Sequence, residues 1–210
     1  MSEKKSMYMK YLSKQIDLVL TNKLPTNNQI MIREDTPKIL VENGIKNLPM
    51  LITQRHIRTA IFNLEQARTL NLPLDNKTHY HGLGKELFLR GIKDLENPIA
   101  IYKNISRANA NDNFVIITNI KDNENNNIII PIQVDGRGIY NNIMIKENQI
   151  KSIYGKKNIN EYVKLSKLEL VYKKRDGFQW KGPIPRHCQL LDMLELSKPR
   201  SDLLTDSSFI

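Results

Sequence analysis

The sequence predicts an α+β fold with helices first, an antiparallel sheet second, and the helices packed on one side of it. Two observations carry this. Up to about residue 95, apolar residues recur at helical spacing between polar stretches. After Asn97-Pro98 they gather in short blocks rich in Ile and Val, bounded by polar turns, as strands do. Helices followed by strands, without βαβ alternation, favour antiparallel pairing.

Residues 6–20 set Met7, Tyr11, Ile16, Leu18 and Leu20 among lysines, an amphipathic helix that ends before Leu24-Pro25. Ile30-Met31-Ile32 reads as a short strand. Thr36-Pro37 opens a second helix, since Thr caps well and Pro suits the first helical position; Asn43-Gly44 closes it. Thr53 to Leu70 carries Ile57, Ile61 and Leu64 on one face and stops at Leu72-Pro73. A polar loop over 74–82 leads to a helix from Leu83 to Leu95, with Leu87, Phe88 and Ile92 inward. Strands are expected at Ile99–Tyr102, Phe114–Ile117, Ile128–Ile132, Ile139–Ile145, Ile150–Tyr154 and Leu168–Tyr172. Lys121–Asn125 is a hairpin connection and Gly136-Arg137-Gly138 a turn. Residues 1–29 read as a helical arm, 30–185 as the domain, and 186–210 as a partly extended tail with His187 and Cys188.

The 210 residues carry 32 Lys+Arg against 22 Asp+Glu, net +10, with a pI near 9.6. That balance favours a polyanionic partner. A single cysteine excludes an internal disulfide framework and a Cys-based structural zinc site. No window of about 18 apolar residues occurs, so no membrane span is expected, and lysines interrupt the N-terminal stretch where a secretory signal would need an apolar run. Reducing cytoplasm is the expected location. The Gly82-x-Gly84 and Gly136-x-Gly138 pairs lack the Lys-Ser/Thr of a P-loop, and no Gly-x-Ser-x-Gly elbow is present. No cofactor is expected.

Three segments carry candidate chemistry. In Ile150–Lys157, period-2 alternation puts Ser152 and Tyr154 on one strand face. Gly155 permits a tight turn and leaves Lys156 at the strand end, flanked by Lys151 and Lys157. Two hydroxyls and an ammonium can hold a phosphate and stabilise charge growing on it; a strand end with solvated lysines is the plainer reading. In His79–Gly84, His81 sits before a helix start, where the dipole favours anions and a neutral imidazole. It suits acid–base work near neutral pH, or simply caps the helix. His79-x-His81 faces one way but lacks further ligands at metal spacing, so no metal site is expected. In Gln54–Arg58, His56 stands between Arg55 and Arg58, which share a helix face and form either a basic groove or a solvated surface. Lys173-Lys174 follow a strand and contact phosphates or make a charged turn. Phe178 and Trp180 stack on bases or cover core.

The order of Thr36–Leu40, Leu48–Ile57, His81-Gly82-Leu83, Asn97–Ile101, Val115–Thr118, Ile130-Pro131-Ile132, Asn148–Lys156 and Leu170–Lys174 resembles the MuF C-terminal domain of phage and mobile-element polyvalent proteins. That group is placed with phage nucleases like barnase, EndoU, colicin and RelE. The resemblance spans about residues 30–190. It implies a helical N-terminal part and a four- to five-stranded antiparallel sheet. It also implies a toxin-like, metal-independent endoribonuclease acting on tRNA or mRNA in a bacterial host, delivered with phage or mobile-element DNA. His56, His81, Ser152, Tyr154 and Lys156 occupy the motif positions. His81 would be the acid or base, Lys156 the phosphorane stabiliser, Ser152 and Tyr154 the phosphate contacts, and His56 the reserve acid or base. Arg55, Arg58, Lys151, Lys157, Lys173 and Lys174 would bind RNA. An antitoxin, immunity protein or host defence complex is an expected partner. The alternative is a catalytically inactive nuclease-like binder that inhibits a host nucleic-acid or defence complex.

Overall fold

A computed structural model describes residues 3–25, 27–74, 79–105 and 113–174. Phe178, Trp180, His187, Cys188 and the expected tail lie outside the described residues. The chain runs α1 (Glu3–Leu20), β1 (Ile30–Arg33), α2 (Lys38–Glu42), β2 (Met50–Ile52), α3 (Gln54–Ile61), α4 (Leu64–Thr69) and α5 (Gly84–Asp94). It continues β3 (Ala100–Asn104), β4 (Asn113–Lys121), β5 (Asn127–Tyr140), β6 (Ile143–Ile150), β7 (Tyr154–Gly155), α6 (Ile159–Leu165) and β8 (Leu168–Lys173). Mixed α+β architecture follows, with one sheet ordered β1-β2-β6-β5-β4-β3-β8 and β7 paired on β5.

The sheet has eight strands rather than four or five. Two of the extra strands, β1 and β2, lie among the N-terminal helices and extend one edge. β2 pairs parallel with β6, Met50 opposite Asn148 and Ile52 opposite Ile150, so the sheet is not wholly antiparallel. The ends of this pair point the same way, and each releases its chain at the same rim: β2 into α3, β6 into Lys151-Ser152.

Both faces of the sheet are covered. One packs Ile52, Ile101, Phe114, Ile116, Ile130, Ile132 and Ile150 against α1, α3 and α5. The other packs Ala100, Tyr102, Val115, Ile117, Ile129 and Leu170 beneath Val163 of α6. Helices therefore lie on both sides, because α6, which sequence reading did not anticipate, caps the second face. In α1, Leu12, Ile16 and Val19 are wholly buried, an i, i+4, i+7 stripe. The expected arm is part of the core.

The expected helix over Thr53–Leu70 is broken. Phe62 takes an extended conformation, and Asn63 restarts the chain with a capping box to Gln66. Thr36 does not cap α2, where Pro37 stands at the N-cap. Its hydroxyl instead donates to the carbonyls of Leu48 (2.8 Å) and Lys46 (3.1 Å) and accepts from Asn148 Nδ2 (2.8 Å). Gly136–Gly138 is no turn but lies inside β5. The reversal falls at Asn141-Asn142, both at positive φ (48° and 62°), the backbone that a tight two-residue hairpin needs. Among the described residues no helix is long and apolar enough to cross a membrane.

Candidate functional site

The rim where β2 and β6 end is built from three pieces of chain. The first is the start of α3. Thr53 caps it, accepting from the His56 backbone N–H at 3.2 Å, and this sets Arg55, His56 and, one turn on, Thr59 toward the rim. The second is the loop 79–83. His81 N–H donates to the Thr59 carbonyl (2.8 Å), Gly82 N–H to Phe62 (2.9 Å) and Leu83 N–H to Ala60 (3.0 Å). The end of α3, with carbonyls otherwise unpaired, thus becomes the dock for the His81 loop. The third is Lys151–Lys156.

Together they line a cleft of about 500 Å³: Arg55, His56, Thr59, His79, His81, Lys151, Ser152, Tyr154 and Lys156. Three cations and three imidazoles face it, and no carboxylate is among its described lining residues. Such a lining favours an anion.

His81 stacks on Tyr154, ring centroids 4.7 Å apart and planes 15° from parallel. Lys156 Nζ sits 4.8 Å from the centroid of the Tyr162 ring on α6, an attraction that fixes the ammonium. Tyr154 and Tyr162 share a hydrogen bond, and burial, then Tyr162, pushes the Tyr154 phenol well above its ordinary value. It stays neutral. The sequence expectation put Ser152 and Tyr154 on one continuous strand. Strand β6 stops at Ile150, 151–153 cross the rim, and β7 begins at Tyr154; both side chains reach the cleft by this crossing. Gly155 serves close packing rather than a tight turn, since a Cβ there would collide with the Asp122 side chain.

Burial lowers His56 from 6.5 to about 4, with Lys151 and Arg55 adding to the effect. Burial likewise lowers His81 to about 4, helped by His79. The expected direction for His81 holds, with burial as its main cause and His79 as its second. The Ile150 backbone hydrogen-bonds His56, while His56 Nδ1 is buried with no hydrogen-bond partner. A buried lone pair without a donor is costly.

Other expected RNA contacts stand elsewhere. Arg58 turns away to α1, donating to the Val19 carbonyl through Nε (3.2 Å) and Nη2 (3.0 Å), and to Asn22 Oδ1 at 2.7 Å. Lys173 and Lys174 lie on β8 and just beyond it, at the opposite edge of the sheet, with Lys174 Nζ donating to Asn97 Oδ1 at 2.9 Å. Lys157 is next to the cleft in sequence but does not line it. Thr59 was missed by sequence reading, although its i+4 spacing from Arg55 places it on the same helix face. Among the described residues no three His, Cys, Asp or Glu side chains gather as a metal site would require.

Residues 74–178, half of the 210-residue chain, match the phage MuF-C-terminal domain model. The chain belongs to the phage MuF-C-terminal domain family. No curated protein and no solved structure matches it. The matched stretch of this MuF-C domain holds His79, His81, Ser152, Tyr154 and Lys156; Arg55 and His56 enter from α3, ahead of it.

Proposed function

We propose that this MuF-C domain is a metal-independent endoribonuclease that cleaves RNA by transesterification from the adjacent 2′-hydroxyl, acting in bacterial cytoplasm. The observation that carries the reading is the meeting of two neutral imidazoles with Arg55, Lys151 and Lys156 in one cleft. An RNA phosphodiester supplies the anion that the cations suit and the hydroxyl that the imidazoles suit.

His56 is the base. Its ring lines the cleft and takes the 2′-hydroxyl proton while the 2′-oxygen attacks phosphorus. The nearby Lys151 and Arg55 keep it unprotonated. His81 is the acid. A bound phosphodiester raises its proton affinity, and the Tyr154 ring face under it favours the imidazolium. It gives that proton to the departing 5′-oxygen as the P–O5′ bond breaks, leaving a 2′,3′-cyclic phosphate and a 5′-hydroxyl. Lys156, held over Tyr162, stabilises the charge on the phosphorane, and Ser152 contributes a hydroxyl to the same oxygens.

Incubating the pure protein with tRNA and total RNA in EDTA tests this. Fragments ending in cyclic phosphate support it. A stable complex with intact RNA would overturn it in favour of a non-catalytic binder.

A further inference from the structure

Beyond Arg55 the rim continues into a second pocket of about 360 Å³, within the size range of small-ligand sites. Arg55 lines both. The second pocket differs in chemistry. Asn28 and Gln29 come from the loop before β1, Gln54 from α3, and Arg137, Ile139 and Met144 from the β5–β6 hairpin. Amides, two apolar side chains and a second guanidinium take the place of the imidazoles and ammoniums of the cleft, Thr53 adds a hydroxyl, and no carboxylate is among its described lining residues.

The hairpin is locked in place over this pocket. Its ladder shifts register between Gln133 and Gly136, and Gln29 N–H then donates to the Ile139 carbonyl at 3.0 Å. Asn142 N–H donates to Asn28 Oδ1 at 3.4 Å, and Gln54 Nε2 to the Asn28 carbonyl at 3.0 Å. Below lies Glu147, 1% exposed. With its amide turned to suit both neighbours, Gln29 donates to the Glu147 oxygens at 2.7 and 3.2 Å and accepts from Gln149 Nε2 at 3.1 Å. A Cβ at Gly138 would collide with Gln29 and Glu147, so a glycine is required for this pair to lie against β5. The wall is preorganised, which lowers the ordering cost of binding.

A nucleobase has flat apolar faces and a polar edge. Met144 is 65% exposed and Ile139 38%, an apolar shelf for a face; Arg137 is exposed and brings a plane that stacks on bases. The Gln29 and Gln54 amides are engaged in holding the wall, and the Asn28 amide offers its N–H donors to a base edge. Building on the reading of the cleft as an RNA phosphate site, we infer that this second pocket holds a base of the same strand, next to the scissile phosphate, and sets sequence preference.

The test uses the full chain with inorganic phosphate and with deoxydinucleotides of all four bases, which lack the 2′-hydroxyl and cannot be cut. NMR reports His56 and His81 for the cleft, and Asn28, Gly138 and Met144 for the pocket. Phosphate is expected to shift the cleft signals and dinucleotides to shift both sets, with affinities that differ by about tenfold between bases. Arg137→Ala and Met144→Ala, both exposed, should weaken the preferred dinucleotide by about tenfold more than they weaken phosphate. Dinucleotides that shift the cleft alone, or bind all bases and both variants alike, overturn the base pocket and leave the phosphate cleft standing. No shift at either histidine with either ligand overturns the phosphate cleft and the base pocket with it.

Discussion

His56 and His81 share one cleft and one cause of perturbation, and their protons are the most direct readout of it. In the unliganded protein both should titrate near pH 4 rather than 6.5 by NMR; midpoints near 6.5 would mean that neither ring is buried as described. Because the folded values lie below the unfolded ones, the unfolded chain binds more protons between about 4 and 6.5. Stability should therefore fall as pH drops through that window, by about 1–2 kcal/mol per imidazole after solvent screening of these partly exposed rings, and denaturation midpoints between pH 7 and 4.5 check it. For cleavage, the free protein with one ring protonated is most populated near pH 4, so kcat/KM should decline from pH 5 to 7. A kcat/KM profile flat over that range would remove His81 as the acid. The Ser-Ile-Tyr-Gly-Lys segment and both histidines were legible because hydroxyl, imidazole and ammonium declare their chemistry by type. Arg58 was not legible: its target, the Val19 carbonyl, is chosen by tertiary contact and leaves no mark in local spacing.

Among the elements, α1 tests whether the N-terminal stretch is arm or core. Ile16 is wholly buried in the cluster that also holds Ile57, Phe88 and Ile130. Ile16→Ala should cost about 2–5 kcal/mol, read as a lower denaturation midpoint with unchanged slope; a loss under about 0.5 kcal/mol would return α1 to the status of an appendage. Sequence periodicity found α1, α5 and most of the later strands because long apolar patterns are hard to mistake. It missed β2, whose three residues are too short to show alternation, and it read Gly136–Gly138 as a turn because glycine pairs signal turns more strongly than Asn141-Asn142 does. The break at Phe62-Asn63 was written in the sequence as Asn63-x-x-Gln66, a capping signal hidden inside a helical apolar pattern.

At the scale of the whole molecule, a net charge of +10 favours a polyanion, and the fold gathers three of the cations in one cleft. The cations of the cleft converge at the rim where the parallel strands β2 and β6 end, while Lys173 and Lys174 sit at the far edge. A sequence lists its charges without saying which of them meet, so the excess of positive charge was legible and the cleft that gathers three of the cations was not. Binding to single-stranded RNA should weaken with salt, log affinity falling against log salt by about 0.7 per phosphate contacted. A salt-independent affinity, measured by titration from low to high salt, would contradict an electrostatic groove.

In the proposed reaction an imidazole of the His81 loop and the ammonium of Lys156 act on one phosphate. Single-turnover cleavage of RNA in EDTA by wild type, His81→Ala and Lys156→Ala, alongside melting temperature and RNA affinity, tests it most directly. Rates should fall about 10²–10⁴-fold for His81→Ala and about 10²–10³-fold for Lys156→Ala, with both variants folded and still binding RNA. Cleavage by both folded variants at the wild-type rate would contradict it.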